Sequence, residues 1–424
     1  MFKLTKLKNG LWIITVPLKG TQAVTVLILV RAGSRYESEK ENGLAHFLEH
    51  MFFKGGKRYP NMQAVSSAID SVGGVFNAFT GKEVVGYWVK LASKHLERAL
   101  DVLSDMLLSA KFDPQEIEKE KGVIIEEANL YQDNPLFLIH DLFEETIFGA
   151  TSLGRRIVGQ KKYIRSFQRQ HFLNYLKRLY VPQNMVICLA GQINHNKATN
   201  LIQQYFPFSS KRSKLKHLTL FFKRKLSLSL KFKKTDQAHL ILGFWGLPFD
   251  HCALPTLGVI NALLAGTMSS RIFLSVRGKH GLAYAISSTL ESYQDAGYWD
   301  VYVGTRIGDI EKTITLILKE IEKIKREKVS LQELKKAQEF LKGKLILNAE
   351  DSEFVANLFA QEALFRPRKI KTFPKIFKEI NAVTPEMIKK LAGKLFRPEN
   401  LNLAICGPYK NKRRFEKLIQ RNFN

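Results

Sequence analysis

Cysteine is scarce in this sequence, and its scarcity restricts the kind of protein that the chain can form. The only three cysteines among 424 residues are Cys188, Cys252 and Cys406. An odd and sparse set of this kind does not indicate a disulfide framework. Unpaired cysteines are typical of proteins that stay in a reducing compartment, so we predict a cytoplasmic location.

Long hydrophobic runs are also missing. No run of about 18 apolar residues occurs, which argues against a membrane-spanning helix. The N-terminal segment, residues 1–17, has only a short apolar stretch that alternates with polar residues and lacks a small-residue cleavage site. This pattern indicates a first β-strand rather than a signal peptide. We therefore expect a protein that remains where it is made and has no membrane contact.

Acidic residues are in deficit. Aspartate and glutamate total 39 against 66 lysines and arginines, which gives a formal net charge of +27. Such a balance raises the question of nucleic-acid binding. The basic residues are spread along the chain, however, and the densest stretch, residues 211–234, contains no recognisable nucleic-acid motif. We expect no nucleic-acid partner, although a basic surface-binding protein remains the alternative to an enzyme.

An internal repeat divides the chain into two halves. Residues 180–191 read YVPQNMVICLAG and residues 396–407 read FRPENLNLAICG. In both segments a Pro-x-Asn turn leads into a strand of alternating pattern that ends at glycine. Each proline, asparagine and glycine of the first segment is separated from its counterpart in the second by the same number of residues. A turn this specific, repeated at half the chain length, predicts two related domains.

The halves are separated by a basic, polar segment without clear helical periodicity. We predict a first domain at residues 1–208, a linker at 209–228 and a second domain at 229–424. The alternative is that residues 209–228 form a surface loop within one domain. Strands and helices alternate in each half, so the fold class is α+β, with two homologous α/β sandwiches, each a mostly antiparallel sheet covered by helices.

A short apolar segment, residues 43–56, reads GLAHFLEHMFFKGG. Asn42 is the predicted N-cap of a helix, and Gly55 and Gly56 are predicted to end it. Apolar residues surround this helix almost completely, which is typical of a buried helix.

The polar residues of that helix form one stripe. At about 100° per residue, His46, Glu49 and His50 share a face. Two histidines four residues apart can hold one ion, and zinc favours imidazole nitrogen. Glu49 lies between them, in the position of a general base. The spacing H-x-x-E-H is an inverted zinc-peptidase motif. The alternative is a pair of core histidines.

A second helical segment, residues 113–131, offers a third ligand. Its inward stripe contains Glu120 and Glu127, and two buried carboxylates are unfavourable unless they meet a cation. We predict Glu127 as the ligand and Glu120 as a residue that orients a ligand or substrate. Glu126 is the alternative ligand, about 100° away around the helix. A solvated glutamate-rich face is the other alternative.

At these residues the sequence resembles the pitrilysin/insulinase family, which includes the mitochondrial processing peptidases. The resemblance covers nearly the whole chain. It is carried by GLAHFLEHMFFKG, GGVFNAFTGKE, EKEKGVIIEE and SLGRRIVG in the first half, and by TMSSRIFLSVRGKHGLAY and DAGYWDVYVGT in the second. The family spacing between the second histidine and the glutamate ligand falls, from His50, on Glu127, and that of the accessory glutamate falls on Glu120.

The resemblance implies further site residues. Arg277 and Tyr284 match an arginine and a tyrosine that the family directs at the scissile carbonyl, where they would bind the developing oxyanion. The segment Gly73–Thr80 is similar to the family's substrate-binding edge strand, with Asn77 and Ala78 as the substrate-binding positions. It also implies two related halves per chain and chains that pair around a closed chamber.

These patterns together predict a zinc-dependent endopeptidase that hydrolyses unfolded peptides inside a chamber closed by dimerisation. No zinc motif occurs in the second half, so we expect one Zn²⁺ per chain. The partner chain is expected to be an identical or a related one. The alternative function is a catalytically silent partner subunit of a heterodimeric peptidase, although such a subunit is expected to have lost its ligands.

Overall fold

The structure is a computed structural model that describes residues 2–209, 215 and 225–423. Most of the predicted linker, residues 209–228, lies outside the described residues. The eleven strands of the described part are β1 (Lys3–Lys6), β2 (Trp12–Pro17), β3 (Ala23–Val30), β4 (Val75–Thr80), β5 (Val85–Ala92), β6 (Met185–Gly191), β7 (Ser227–Phe232), β8 (Gln237–Trp245), β9 (Ala283–Ser292), β10 (Gly297–Arg306) and β11 (Leu401–Gly407).

The helices connect and cover these strands. The α-helices of the described part are α1 (Leu44–Phe52), α2 (Met62–Asp70), α3 (Leu96–Ser109), α4 (Pro114–Asp133), α5 (Pro135–Phe148), α6 (Lys161–Ser166), α7 (Arg169–Leu179), α8 (His195–Tyr205), α9 (Leu254–Leu264), α10 (Arg271–Phe273), α11 (Ile310–Arg326), α12 (Leu331–Asn348), α13 (Ser352–Phe365), α14 (Phe373–Asn381), α15 (Pro385–Leu395) and α16 (Lys412–Asn422). Short 3₁₀ turns occupy Ser34–Tyr36, Glu39–Glu41, Ser93–His95, Pro182–Asn184, Ile307–Asp309 and Pro398–Asn400, and a π-helical turn, Leu274–Lys279, follows α10.

The chain forms two compact units. The first contains Met1–Asn129, Arg155–His217 and Leu347–Lys371, and the second contains Leu130–Gly154, Leu218–Ile346 and Thr372–Asn424. The first has a six-stranded sheet in the order β1-β2-β6-β3-β5-β4, and the second a five-stranded sheet in the order β7-β11-β8-β10-β9. Of the strand pairs in the described ranges, β2/β6 and β7/β11 are parallel and the others are antiparallel. The predicted α+β class, with a mostly antiparallel sheet and helices in each half, is confirmed.

The repeated turn has the same local structure in both units. In each copy it is a 3₁₀ turn whose asparagine side chain donates to the carbonyl at the end of the preceding helix. The bonds are Asn184 Nδ2 to Leu179 O and Asn400 Nδ2 to Leu395 O, both 2.9 Å. The strands that follow, β6 and β11, are buried throughout. The asparagine is therefore a fixed internal support at the point where a helix turns into a central strand.

Each unit takes one helix from the other half of the sequence. Helix α13 lies in the second half of the chain, between β10 and β11 of the second sheet, yet it packs on β2, β3 and β6. Helix α5 precedes the linker, yet it packs on β7, β8 and β11. The predicted boundaries at residues 208 and 229 divide the sequence into two continuous halves. The compact units differ from those halves, because α5 belongs to the second unit and α13 to the first. In the described part of the chain, no helix is long and apolar enough to cross a membrane.

Buried carboxylates on the second sheet make the stability of this protein depend on pH. Burial, which nearby Thr289 only partly offsets, raises the pKa of Asp300 to about 8. Burial, together with Glu144, also raises the pKa of Glu291 to about 7. A carboxyl group whose pKa is raised on folding lowers stability progressively as pH rises from its unfolded pKa to its folded pKa. For Asp300 this window extends from about 4 to about 8.

We expect Asp300→Asn to raise the Tm at pH 9 by several degrees and to have a much smaller effect at pH 5, because the variant carries no buried charge. Thermal unfolding followed by circular dichroism across this pH range measures the difference. Asp236→Asn, at an exposed position, is the matched control and should leave the profile unchanged. An Asp300→Asn gain that is equal at pH 5 and pH 9 would contradict the explanation.

Candidate metal centre

Helix α1 begins differently from the sequence prediction. Asn42 was predicted to cap it, but the N-cap is Gly43, whose φ of 100° lies in the left-handed region. A Cβ at this position would also come within 2.8 Å of the Val158 carbonyl oxygen. Glycine is therefore required here on two grounds, its backbone angle and its close approach to another segment.

A carboxylate from outside the motif caps α1 instead. Glu37 accepts hydrogen bonds from the backbone nitrogens of Gly43 and Ala45, at 3.0 and 2.7 Å. The Asn42 side chain donates through Nδ2 to Glu37 and to the Arg156 carbonyl, which ties it to the residues around the start of α1. Burial raises the pKa of Glu37 to about 7, although these hydrogen bonds oppose the shift. The side chain that caps the N-terminus of α1 thus lies before the motif in the sequence, so the pattern of the motif could not reveal it.

The apolar residues of α1 are buried, as the pattern predicts. Among them, Leu44, Ala45, Phe47, Leu48 and Phe52 have no solvent exposure. The helix ends at Phe52, and Gly55 and Gly56 belong to the loop that follows. That loop is held by Asp105 of α3, which accepts hydrogen bonds from the backbone nitrogens of residues 57, 58 and 59. Buried apolar residues therefore hold α1 in place, and hydrogen bonds to Asp105 hold the loop that follows it.

The structure brings three predicted ligands together. His46 and His50 of α1 and Glu127 of α4 each offer one atom, and these atoms lie within 4.8 Å of one another. The Nε2 atoms of His46 and His50 are each 3.6 Å from an oxygen of Glu127. A tetrahedral zinc ion with bonds of about 2.0–2.1 Å separates its ligand atoms by about 3.4 Å. Both the spacing and the two-imidazole, one-carboxylate donor set fit such an ion.

The alternative ligand, Glu126, is placed elsewhere. It is exposed, and its carboxylate accepts a hydrogen bond from Asn129 one turn later on α4. Helix α4 begins where it was predicted to begin, because Asp113 accepts from the backbone nitrogens of Gln115 and Glu116. The side of α4 that faces the histidines of α1 carries Glu127.

Glu120 lies directly behind His50. Its carboxylate accepts a hydrogen bond from His50 Nδ1 at 2.9 Å and forms an ion pair with Lys54 at 2.5 Å. Burial by itself would raise the pKa of Glu120, but the bonds from His50 and Lys54 outweigh it and hold the pKa below its usual value. An ionised Glu120 keeps the proton of His50 on Nδ1 and leaves Nε2 free to bind a metal. Sequence reasoning missed Lys54, which follows His50 by one helical turn.

Glu49 is the remaining polar residue of the stripe. Its Oε2 accepts a hydrogen bond of 2.5 Å from the hydroxyl of Thr80, at the end of β4. Behind it lies a buried pair of phenols, Tyr87 and Tyr180, whose hydroxyl oxygens are 2.7 Å apart. Burial raises the pKa of both tyrosines well above the usual range, and the charge of Glu49 adds to the shift. These three residues were not identified from sequence, although Thr80 ends the segment GGVFNAFT.

The predicted edge strand is at an edge. Among the strands of the described residues, β4 pairs with β5 alone, and it is the last strand in the order of the first sheet. The nitrogen of Ala78 donates to the side chain of Asn77 at 2.8 Å. The side of β4 away from β5 has no partner strand among the described residues, and an extended chain can pair with an open strand edge of this kind.

Arg277 and Tyr284 belong to the second unit, whereas the three ligands belong to the first. Arg277 lies on the π-helical turn after α10 and donates to the Tyr284 carbonyl oxygen at 2.9 Å. Its guanidinium also lies over the rings of Phe273 and Tyr284, 5.3 and 5.7 Å from their centres. The Tyr284 side chain is 79% exposed, so its hydroxyl is accessible. The structure brings these two residues together with each other.

Comparisons with known proteins identify relatives of this chain. Residues 13–161 match the model of the insulinase family (peptidase family M16), and residues 166–341 match that of the peptidase M16 inactive domain. The chain is 35% identical over 413 residues to an uncharacterized zinc protease of Bacillus subtilis, covering 97% of this chain and 99% of that one. It is 32% identical over 417 residues to an uncharacterized zinc protease of Streptomyces coelicolor, covering 96% and 90%.

Solved structures share the fold at lower sequence identity. A protease from Helicobacter pylori superposes with a TM-score of 0.90 at 22% identity, covering 96% of this chain and 99% of that one. A chain of complex III from Candida albicans superposes with a TM-score of 0.84 at 17% identity, covering 98% and 99%. The sequence matches extend over almost the whole length of both partners, and the chain therefore belongs to the insulinase family of peptidases, family M16.

Proposed function

We propose that this protein is a zinc-dependent endopeptidase that hydrolyses unfolded peptides. The observation that carries the proposal is the convergence of His46, His50 and Glu127 with their metal-facing atoms within 4.8 Å. Relatives that match over nearly the whole chain are named zinc proteases, which supports zinc as the ion. A single ligand set in the part of the chain that the structure describes corresponds to one Zn²⁺ per chain.

The residues of this chain supply the groups that peptide hydrolysis requires. When bound, zinc supplies a Lewis acid that acidifies water and polarises a carbonyl group. Glu49 takes a proton from the attacking water and delivers it to the amine nitrogen as the peptide bond breaks. Arg277 and Tyr284 donate hydrogen bonds to the carbonyl oxygen as negative charge develops on it. Glu120 holds His50 in the orientation and tautomer that leave Nε2 available.

An extended substrate follows from the open edge of β4. A peptide that adds to this edge pairs with the backbone around Asn77 and Ala78, and such pairing recognises extended chain rather than a particular sequence. A folded protein cannot present a free strand of this kind without unfolding locally. We propose that paired chains enclose the substrate in a chamber, where Arg277 and Tyr284 of one chain face the metal ligands of the other.

Hydrolysis of a library of unstructured peptides, combined with metal analysis, tests the proposal. We expect cleavage within the peptides, loss of activity with a chelator and recovery with zinc, at about one zinc per chain. A disordered peptide should be cut at least roughly tenfold faster than the same segment inside a native folded protein, because the edge strand binds extended backbone. Chelator-insensitive cleavage would refute the proposal. Zinc binding without any cleavage would favour a silent partner subunit.

A further inference from the structure

The hydrogen bond between Thr80 and Glu49 joins two parts of the proposed site that are distant in the chain. Thr80 ends the open edge strand β4, and Glu49 is the proposed base on α1. Thr80 Oγ1 donates its one proton to Glu49 Oε2 at 2.5 Å. Within the described residues, the other oxygen, Oε1, makes no hydrogen bond. One oxygen of the carboxylate is therefore held by protein, and the other is left for a water molecule.

A second contact fixes the same two elements. Alternate residues of a strand point to one face, so Phe76 and Thr80 lie on the side of β4 that meets α1. The Phe76 ring packs against Phe53, at the end of α1, with centroids 5.7 Å apart. The strand is thus registered against the helix at both ends, with the small side chain of Ala78 between the two contacts. This arrangement sets the distance from the open edge to Glu49.

The glutamate needs such a partner for a conformational reason. The last torsion of a glutamate side chain is broad and has no sharply preferred value. A carboxylate without a fixed hydrogen bond therefore samples many orientations, and only some of them place an oxygen where it can take a proton from water. Reaction rates are sensitive to displacements of about 1 Å in groups that must be aligned.

We propose that Thr80 is a positioning residue for the base: its hydroxyl orients the Glu49 carboxylate and fixes it relative to the strand edge that receives the peptide. The inference rests on the proposed peptidase function. It adds a residue that acts through Glu49 without touching the substrate, and it explains why the edge strand ends on a hydroxyl side chain at this point.

Two substitutions separate the hydroxyl from the shape of the side chain. Thr80→Val keeps the β-branched shape and removes the donor, whereas Thr80→Ser keeps the donor. We expect Thr80→Val to lower kcat roughly tenfold with KM changed less than about twofold, because alignment rather than binding is lost. Thr80→Ser should stay within about threefold of the parent kcat. Zinc content and Tm are measured in parallel and should remain near the parent values in both variants.

A double-mutant cycle shows whether Thr80 acts through Glu49. In the Glu49→Gln background, Thr80→Val should cause little further loss of kcat, because the group that it orients is already absent. Thr199→Val is the matched control, since the Thr199 hydroxyl donates to the His195 carbonyl oxygen one turn earlier on α8, away from the proposed site. This control should leave kcat, KM and zinc content unchanged.

Several outcomes would overturn the assignment. The first two are a Thr80→Val enzyme with parental kcat and a Thr80→Ser enzyme as impaired as Thr80→Val. The others are a loss of zinc or a large fall in Tm with Thr80→Val, and additive losses of kcat in the double-mutant cycle. An active, chelator-sensitive parent whose kcat is insensitive to Thr80→Val would remove the role of Thr80 and leave the proposed function intact. A parent that cleaves no peptide would remove both, because there would be no base to orient.

Discussion

The Glu49→Gln variant should retain about one zinc per chain and lose roughly 10³-fold in kcat, because general-base catalysis contributes about 10²–10⁴-fold. Glutamine has nearly the same shape as glutamate but cannot accept a proton from water at neutral pH. The three proposed ligands, His46, His50 and Glu127, do not include Glu49. Metal content by atomic absorption and kcat on an unstructured peptide, measured on the same preparation, separate binding of the ion from catalysis.

The matched control is Glu126→Gln. This residue is also a glutamate of the site region, but it is exposed and bonds to Asn129. The control should keep both zinc and activity. Loss of zinc in Glu49→Gln would mean that Glu49 is a ligand rather than the base. Retained activity in Glu49→Gln would mean that another group accepts the proton, and loss of zinc in Glu126→Gln would reverse the choice between Glu126 and Glu127.

Activity should return when two inactive variants are combined in one dimer. His50→Ala removes a ligand, and Tyr284→Phe removes the hydroxyl proposed to bind the oxyanion. Loss of one oxyanion donor typically costs about 10²–10³-fold in kcat. If the chains complete each other's sites, a mixed dimer has one site with an intact ligand set and an intact Tyr284, while both lesions fall in the other site.

The test uses co-expression with two affinity tags, followed by isolation of the mixed dimer. We expect activity from one site in two, compared with parent variants that are nearly inactive. Dimers isolated from each variant alone are the controls, and each must bind its partner as the unmodified chain does. If both variants are inactive, form the mixed dimer and remain inactive in it, then each site is completed within one chain.

The residues of the proposed metal site were predicted from local patterns. Helical periodicity depends only on the spacing of residues, so a segment of five residues was enough to predict that His46, Glu49 and His50 share one face of a helix. The same reasoning placed Glu120 and Glu127 on one side of α4. The structure brings the two stripes together, with both histidines 3.6 Å from Glu127. The α+β class was also predictable, because strand and helix periods alternate along each half.

Residues that support the site were not predictable in the same way. Glu37, Lys54 and Thr80 have no local pattern that distinguishes them from surface or strand residues. The prediction of Asn42 as N-cap was wrong because Glu37 takes that role and engages the Asn42 side chain. Capping preferences describe an isolated helix, and a carboxylate from a neighbouring turn can replace the local cap when folding brings it close.

The sequence by itself determined the family and showed the internal repeat, because both depend on residue identity and spacing along the chain. The ligand set and the base are predictions from the same spacing. The tertiary structure alone decided that Thr80 bonds Glu49 and that α5 and α13 pack on the sheet of the opposite sequence half. It also places β4, which the resemblance implied to be an edge strand, at one end of the first sheet. Strand order and contacts between distant residues come from the packing of whole elements, and the period of a single strand is the same at an edge as in the middle of a sheet.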